Sequence, residues 1–213
     1  MSNFIVFEGP NGSGKSTLMS KVVENLQSNT SYNIISTCEP GGNVENNQDN
    51  TRMSIRELLL DNKSKISDKT ELMLFLADRA QHYNEVIKPN LNKKNTLIIS
   101  DRFWESTLVY QSLVKGVIEE DDLNYMHNFI TENTKPDTTF IITSDKSHCD
   151  EQDRIGNGGF RSQAVNAYRN LNKLSEINYN IKIIDTTRGK WDNYIADITN
   201  YIKNRYLHLP LTS

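Results

Sequence analysis

The run Gly9-Pro10-Asn11-Gly12-Ser13-Gly14-Lys15-Ser16 limits this chain more than any other feature. It follows the apolar stretch Phe4 to Phe7 and leads into Leu18, Val22 and Leu26 at helical spacing. A strand, a G-x-x-x-x-G-K-S loop and a helix in that order form a phosphate-binding unit. The glycines let backbone N–H groups converge on phosphate oxygens, and the helix N-terminus adds the positive end of its dipole. Lys15 supplies a point charge for the β- and γ-phosphates, and Ser16 a hydroxyl ligand for Mg²⁺. The plain alternative is a glycine-rich turn capped by Ser16 with an exposed lysine. The strand–loop–helix setting weighs against it, so the chain is expected to bind a nucleoside triphosphate.

Short β-branched and aromatic runs recur at Phe4 to Phe7, Tyr32 to Thr37, Thr96 to Ser100, Thr138 to Thr143 and Ile181 to Ile184. Longer helical patterns separate them, which predicts an α/β fold with a parallel sheet covered on both faces. Ligands in such folds sit at the carboxyl ends of the strands. At 213 residues the chain is expected to form a single domain, 1–213. A polar, Asn-rich insertion at about 43–50 and a short lid at about 145–159 elaborate it. The formal charge of −3 argues against a general nucleic-acid or membrane binder, which needs a cationic excess. The two cysteines, Cys38 and Cys149, suit a reducing compartment. The first residues resemble no secretory signal, and no apolar run is long enough to span a membrane, so a cytoplasmic protein is expected. No His–Ser–Asp set, catalytic carboxylate pair or Cys/His metal cluster stands out. His82, His127, His148 and His208 are scattered, and solvated or core positions explain them.

Five stretches taken together resemble the thymidylate kinase family: FEGPNGSGKST (7–17), EPGG (39–42), IRELLLD (55–61), ELMLFLADRAQHYNEVIKP (71–89) and LIISDRFWESTLVYQ (97–111). Asp153-Arg154 with Phe160 and Tyr168 adds a weaker sixth. The resemblance implies a P-loop NTPase-type three-layer fold, a five-stranded parallel sheet flanked by helices. It implies ATP-dependent phosphorylation of dTMP to dTDP, with Mg²⁺ as cofactor and a homodimer as the assembly. ATP would be held by Gly9, Pro10, Asn11, Gly12, Ser13, Gly14, Lys15, Ser16, Thr17 and Thr186, and Mg²⁺ by Ser16 and Asp101. The resemblance puts Glu39 and Pro40 beside the acceptor sugar and phosphate, and Arg56 and Arg102 on that phosphate. It has Phe75 stack on the base and Arg79 bond a base oxygen, with Ser106, Thr107, Tyr110 and Gln111 contacting sugar and base. Lys15, Asp101, Arg102 and Arg154 are the residues implied for catalysis.

Several of these positions have plainer explanations. EPGG also suits an ordinary turn, and Arg56 a solvated helix charge. Asp101-Arg102 also suits a structural ion pair. Phe75 and Tyr110 also suit the core, and Ser106 and Thr107 helix capping or surface. The chain departs from the family in three places. Asn11 stands where an acid is usual, Cys38 where bacterial members often carry arginine, and the lid is short and net negative, with Lys146 and Arg154 as its only Lys or Arg. Two alternatives therefore stay open: a kinase for another or 5-modified deoxynucleoside monophosphate, and a catalytically weak nucleotide-binding regulatory protein.

Overall fold

The computed structural model describes residues 3–42, 50–61, 63–145, 160–174 and 179–207. Residues 146–159 of the lid, with Arg154, and residues 43–49 of the polar insertion lie outside them. Five parallel strands form one sheet in the order β2-β3-β1-β4-β5: β1 (Phe4–Glu8), β2 (Asn33–Cys38), β3 (Thr96–Asp101), β4 (Thr138–Thr143) and β5 (Asn180–Asp185). Every residue of β1, β3 and β4 is buried, whereas the edge strands β2 and β5 are partly exposed. That difference matches the unbroken apolar character of strands covered on both faces.

Alternation along β1 feeds two cores. Phe4 and Val6 join Ile98 and Ile141 on one face, under α3 (Asp68–His82), α6 (Glu120–Thr131) and α7 (Phe160–Asn170). Ile5 and Phe7 join Ile99, Phe140 and Ile142 on the other, under α1 (Lys15–Asn29) and α8 (Trp191–Tyr206). The three-layer α/β architecture read from the sequence is the one observed. The remaining elements are α2 (Asn50–Leu60), α4 (Lys88–Asn90) and α5 (Trp104–Thr107). Two wide π-turns were not legible: Tyr83–Ile87 continues α3, and Leu108–Val114 continues α5.

All strands run the same way, so Glu8, Cys38, Asp101 and Thr143 end at one edge of the sheet. The phosphate loop leaves β1 there. At Gly9 (φ 147°) an added Cβ would lie 2.1 Å from the Ile142 carbonyl oxygen, so only glycine lets the loop pass β4 so closely. Gly14 is left-handed (φ 82°), and a Cβ there would run into the Trp191 ring at 2.2 Å. The first residue of α8 thus braces the loop from outside.

Candidate active site

At the end of β3, Asp101 meets the start of α1. One carboxylate oxygen is in direct contact with the buried Lys15 ammonium, and the other accepts from Ser16 Oγ at 2.6 Å. Burial first, and the Arg102 charge second, push Lys15 well below the ordinary lysine value. The N-terminus of α1 has no side-chain cap, because Gly14 occupies that position. The Ser13 hydroxyl beside it is buried without a hydrogen-bond partner. Uncapped N–H groups, an unpaired hydroxyl and an ammonium converge here, as an anion site requires. Ser16 and Asp101 supply adjacent hard oxygen donors, which fits Mg²⁺ completed by substrate phosphates. Among the described residues no cluster of three or more His, Cys, Asp or Glu forms a separate metal site.

Arg102 follows in a left-handed backbone conformation (φ 76°), a costly state for a residue with a Cβ. Its Nη1 donates to Gly9 O at 3.1 Å and to Ser106 Oγ at 2.7 Å, and its Nη2 donates to Asn11 Oδ1. Its guanidinium lies 5.9 Å from the centre of the Tyr110 ring. The amide at position 11 therefore accepts from this arginine without adding negative charge. Tyr110 belongs to the core, yet its hydroxyl accepts from Asn11 N at 3.3 Å. Ser106 is held from within: its N and Oγ donate to the two oxygens of Glu8 at 3.1 and 2.6 Å. Glu8, fully buried, also accepts from Phe103 N at 2.8 Å and from Tyr168 OH at 3.0 Å. The sequence reading passed over Glu8. An acid ending an otherwise apolar strand was the available signal, because a buried carboxylate must be paired.

Next to Glu8, Glu105 is also fully buried. Burial first, and the Glu8 charge second, push it up to about 7. Tyr179 OH donates to its Oε1 at 2.8 Å.

The loop after β2 is fixed by a second set of charges. Glu39 Oε2 accepts from Arg79 Nε and Nη2 at 3.0 and 2.9 Å, and Glu39 Oε1 lies 2.8 Å from His82 Nδ1. A carboxylate only accepts, so Nδ1 carries the proton, and Nε2 takes a bond from Thr37 Oγ1 at 2.8 Å. Burial alone would raise Glu39, but Arg79 and the His82 bond outweigh it and hold it at about 2. Burial pushes His82 below its usual value. Beside them Asp78 accepts from Arg52 Nε and Nη2 at 3.1 and 3.2 Å and from Gly41 N at 3.0 Å. Arg52 Nη2 also donates to Cys38 O at 2.8 Å. Arg56 Nη1 donates to Pro40 O at 2.6 Å, and the Glu39–Pro40 peptide is cis. Two carboxylates and two guanidiniums thus tie α2 and α3 to the strand ends. Arg52, Asp78 and His82 were not singled out from sequence, since their partners lie far along the chain.

Along α3, Glu71, Phe75 and Arg79 recur every four residues and share a face. Opposite them stand Thr107 and Gln111. Arg79 Nη2 donates to Thr107 Oγ1 at 2.9 Å and to Phe103 O at 2.6 Å, and Gln111 Nε2 donates to Glu71 Oε1 at 2.7 Å. Phe75, between the two polar ends, is half-buried. Two buried atoms are left without hydrogen-bond partners: Arg79 Nη1, a donor, and Gln111 Oε1, an acceptor.

Two further positions lie elsewhere. Thr186 Oγ1 donates to Thr143 O at 3.2 Å, at the ends of β5 and β4. Thr17 is exposed on α1.

Comparison with known proteins gives a consistent result. A family model described as thymidylate kinase matches residues 7–194. The thymidylate kinase of Thermosipho africanus is 36% identical over 208 residues, covering 94% of this chain and 97% of that protein. That of Finegoldia magna is 37% identical over 199 residues, covering 89% and 92%. The crystal structure of thymidylate kinase from Ehrlichia chaffeensis superimposes with a TM-score of 0.73 at 26% identity, covering 93% of this chain and 97% of that one.

Proposed function

The chain belongs to the thymidylate kinase family, and from that premise we propose that it transfers the γ-phosphoryl group of ATP to the phosphate of dTMP, yielding ADP and dTDP. The observation that carries the acceptor assignment is the unpaired couple of Arg79 Nη1 and Gln111 Oε1. Thymine offers O4 as an acceptor beside N3–H as a donor, the complement of that couple. Cytosine would bring an amine to the arginine and a lone pair to the amide oxygen, like against like. A buried polar group left unsatisfied costs about 1–3 kcal/mol, so a base that satisfies both is strongly favoured. Phe75 between them offers a ring face for stacking.

On the donor side, residues 9–17 with Thr186 hold ATP. Ser16 and Asp101 hold Mg²⁺, which when bound neutralises charge on the β- and γ-phosphates. On the acceptor side, Arg102 and Arg56 face the dTMP phosphate, Glu39 and Pro40 border it, and Ser106, Thr107 and Tyr110 shape the sugar site. An oxygen of the dTMP phosphate forms a bond to the γ-phosphorus as the bridge to the β-phosphate breaks, and the electron pair leaves with ADP. The attacking oxygen is already anionic, so no general base is needed, and catalysis comes from position and charge. Lys15 and Arg102 supply that charge within the described residues, and Arg154 is the lid residue assigned to the phosphoryl in transit.

The protein works as a homodimer in this reading. Leu58 on α2, Met73 on α3, and Tyr125 and Phe129 on α6 are exposed, and these helices are neighbours. Tyr125 and Phe129, 75% and 80% exposed, stand four apart on one face and suit burial against a second copy. A cytoplasmic location, where ATP is available and Cys38 stays reduced, completes the assignment. Among the described residues no helix is long and apolar enough to cross a membrane.

A coupled ADP-release assay over dTMP, dUMP, dCMP, dAMP and dGMP tests the function. The expected result is fast release with dTMP and little with dCMP or the purine nucleotides. Equal rates with every monophosphate, or none with any, would reject it.

A further inference from the structure

We infer that Glu71, held by Lys115, is a positioning residue that makes the acceptor pocket select a base carrying N3–H. The inference rests on the proposed function and adds a cause for its base preference.

Of the two unpaired atoms in the pocket, only one has a polarity that can change. A guanidinium carries donors alone, so Arg79 presents a donor whatever surrounds it. A carboxamide turned by half a rotation exchanges its acceptor for two donors with almost no change in shape. Gln111 is fully buried, so its choice between the two faces falls to its protein neighbour.

That neighbour is Glu71. Gln111 Nε2 donates to Glu71 Oε1 at 2.7 Å, and the same oxygen receives Lys115 Nζ at 2.6 Å. A carboxylate accepts and does not donate. The reversed amide would set oxygen against oxygen and turn two N–H groups toward the pocket. The ion pair with Lys115 holds Glu71 in that role, and Lys115 is itself steadied by Asp68 Oδ1 at 3.3 Å. Glu71 sits in the first turn of α3, where the Ser67 cap accepts from Thr70 N at 3.2 Å and Glu71 N donates to Ser67 O at 2.9 Å. The chain Lys115–Glu71–Gln111 therefore keeps Oε1 facing the place where the base must go. It reads N3 and is indifferent to C5, so the class selected is the 4-oxo pyrimidines with N3–H. Pyrimidines with a lone pair at N3 are refused.

The test is the double variant Glu71→Gln/Lys115→Met. An amide at position 71 can donate or accept equally well, and the lysine that would orient it is gone, so Gln111 is free to turn. The measured quantity is kcat/KM for dTMP and for 5-methyl-dCMP, which share the C5 methyl and differ at N3 and C4. The dTMP:5-methyl-dCMP ratio is expected to fall tenfold or more. A general packing defect lowers both values together, and an unchanged ratio would overturn the inference. A wild type inert toward dTMP rejects the proposed function itself, whereas an active wild type with an unchanged ratio in the variant rejects this relay alone. Should the variant not fold, a crystal structure of the wild type with dTMP decides. N3 within hydrogen-bond reach of Gln111 Oε1, with Nε2 still on Glu71, is the expected result. N3 paired to any other group would refute it.

Discussion

Arg79 holds Glu39 through both Nε and Nη2, at 3.0 and 2.9 Å, with the two side chains 2% and 5% exposed. The third nitrogen of the same guanidinium has no partner. One arginine therefore anchors the loop after β2 and keeps a donor in reserve, which the proposed function assigns to the acceptor base.

Arg79→Ala should accordingly have two separable effects. The KM for dTMP rises far more than that for ATP, because only the acceptor pocket loses a donor. Stability falls as well, by roughly 3–5 kcal/mol, because Glu39 loses its counter-charge while buried. Steady-state kinetics with each substrate varied, together with urea melts, read the two effects. Equal shifts in both Michaelis constants would remove Arg79 from the base pocket.

The same cluster sets an acid limit on the fold. His82 is held below its ordinary 6.5, so unfolded chains bind that proton first, and its contribution to stability declines as pH falls through about 6.5. Glu39 is depressed from 4.5 to about 2, so its contribution is full above pH 4.5 and is lost as pH falls toward 2. A shift of that size corresponds to about 3 kcal/mol. Glu105, raised from 4.5 to about 7, works the other way, because folded chains bind its proton first. His82 is therefore read by difference: from pH 8 to pH 3, the urea midpoint of the wild type should fall relative to that of His82→Gln as pH drops through about 6.5. Parallel profiles for the wild type and His82→Gln between pH 7 and pH 5 would contradict the assignment.

Lys15→Ala should reduce turnover by several orders of magnitude with the fold intact, since one lost transition-state charge costs roughly 3–4 kcal/mol. Its ammonium touches Asp101, so the far-UV spectrum and melting temperature must be checked beside the rate. Near-normal turnover would remove the phosphate-loop mechanism.

Tyr110 should make the enzyme prefer deoxyribose. Its ring packs in the core and lies beside the Arg102 guanidinium, a fixed position that suits the sugar wall proposed above. Exclusion of one hydroxyl by shape is usually limited to about a hundredfold, and a preference of that order is expected for dTMP over its ribonucleotide counterpart. Tyr110→Ala should erase most of it. A variant that keeps the full preference assigns the discrimination to another residue.

Arg154→Ala should lower kcat with little change in dTMP binding, as expected of a charge that acts on the phosphoryl in transit. Single-turnover rates and equilibrium dialysis of dTMP separate the two quantities. Loss of binding alone would place this arginine on the acceptor.

The sheet was legible because its signal is local. Each run read as a strand lies within two residues of an observed one, and the phosphate loop declares itself within a dozen residues. Arg79 and Gln111 entered only through resemblance, and the sequence held no sign of what pairs them. Their partners are Glu39, 40 residues from Arg79, and Glu71, 40 residues from Gln111. Glu8 reaches Ser106 across 98 residues and Tyr168 across 160. Periodicity reports which face a residue takes and says nothing about which distant group will meet it. The π-turn at Leu108–Val114 was equally hidden, because no local residue pattern separates a wide turn from an ordinary helical one.

The strand order β2-β3-β1-β4-β5 has a consequence for synthesis of the chain. Translation delivers the phosphate loop before the strands that flank it. β1 lies between β3 and β4, so Ile5 finds Ile99 and Thr138 beside it only after most of the polypeptide has left the ribosome. Such long-range parallel pairings form slowly, and an unpaired apolar strand is open to aggregation meanwhile. ATP, however abundant, can stabilise this protein only after β4 is in place. The ligand that the loop is built to hold therefore gives the emerging Phe4–Glu8 segment no protection until both neighbouring strands have arrived.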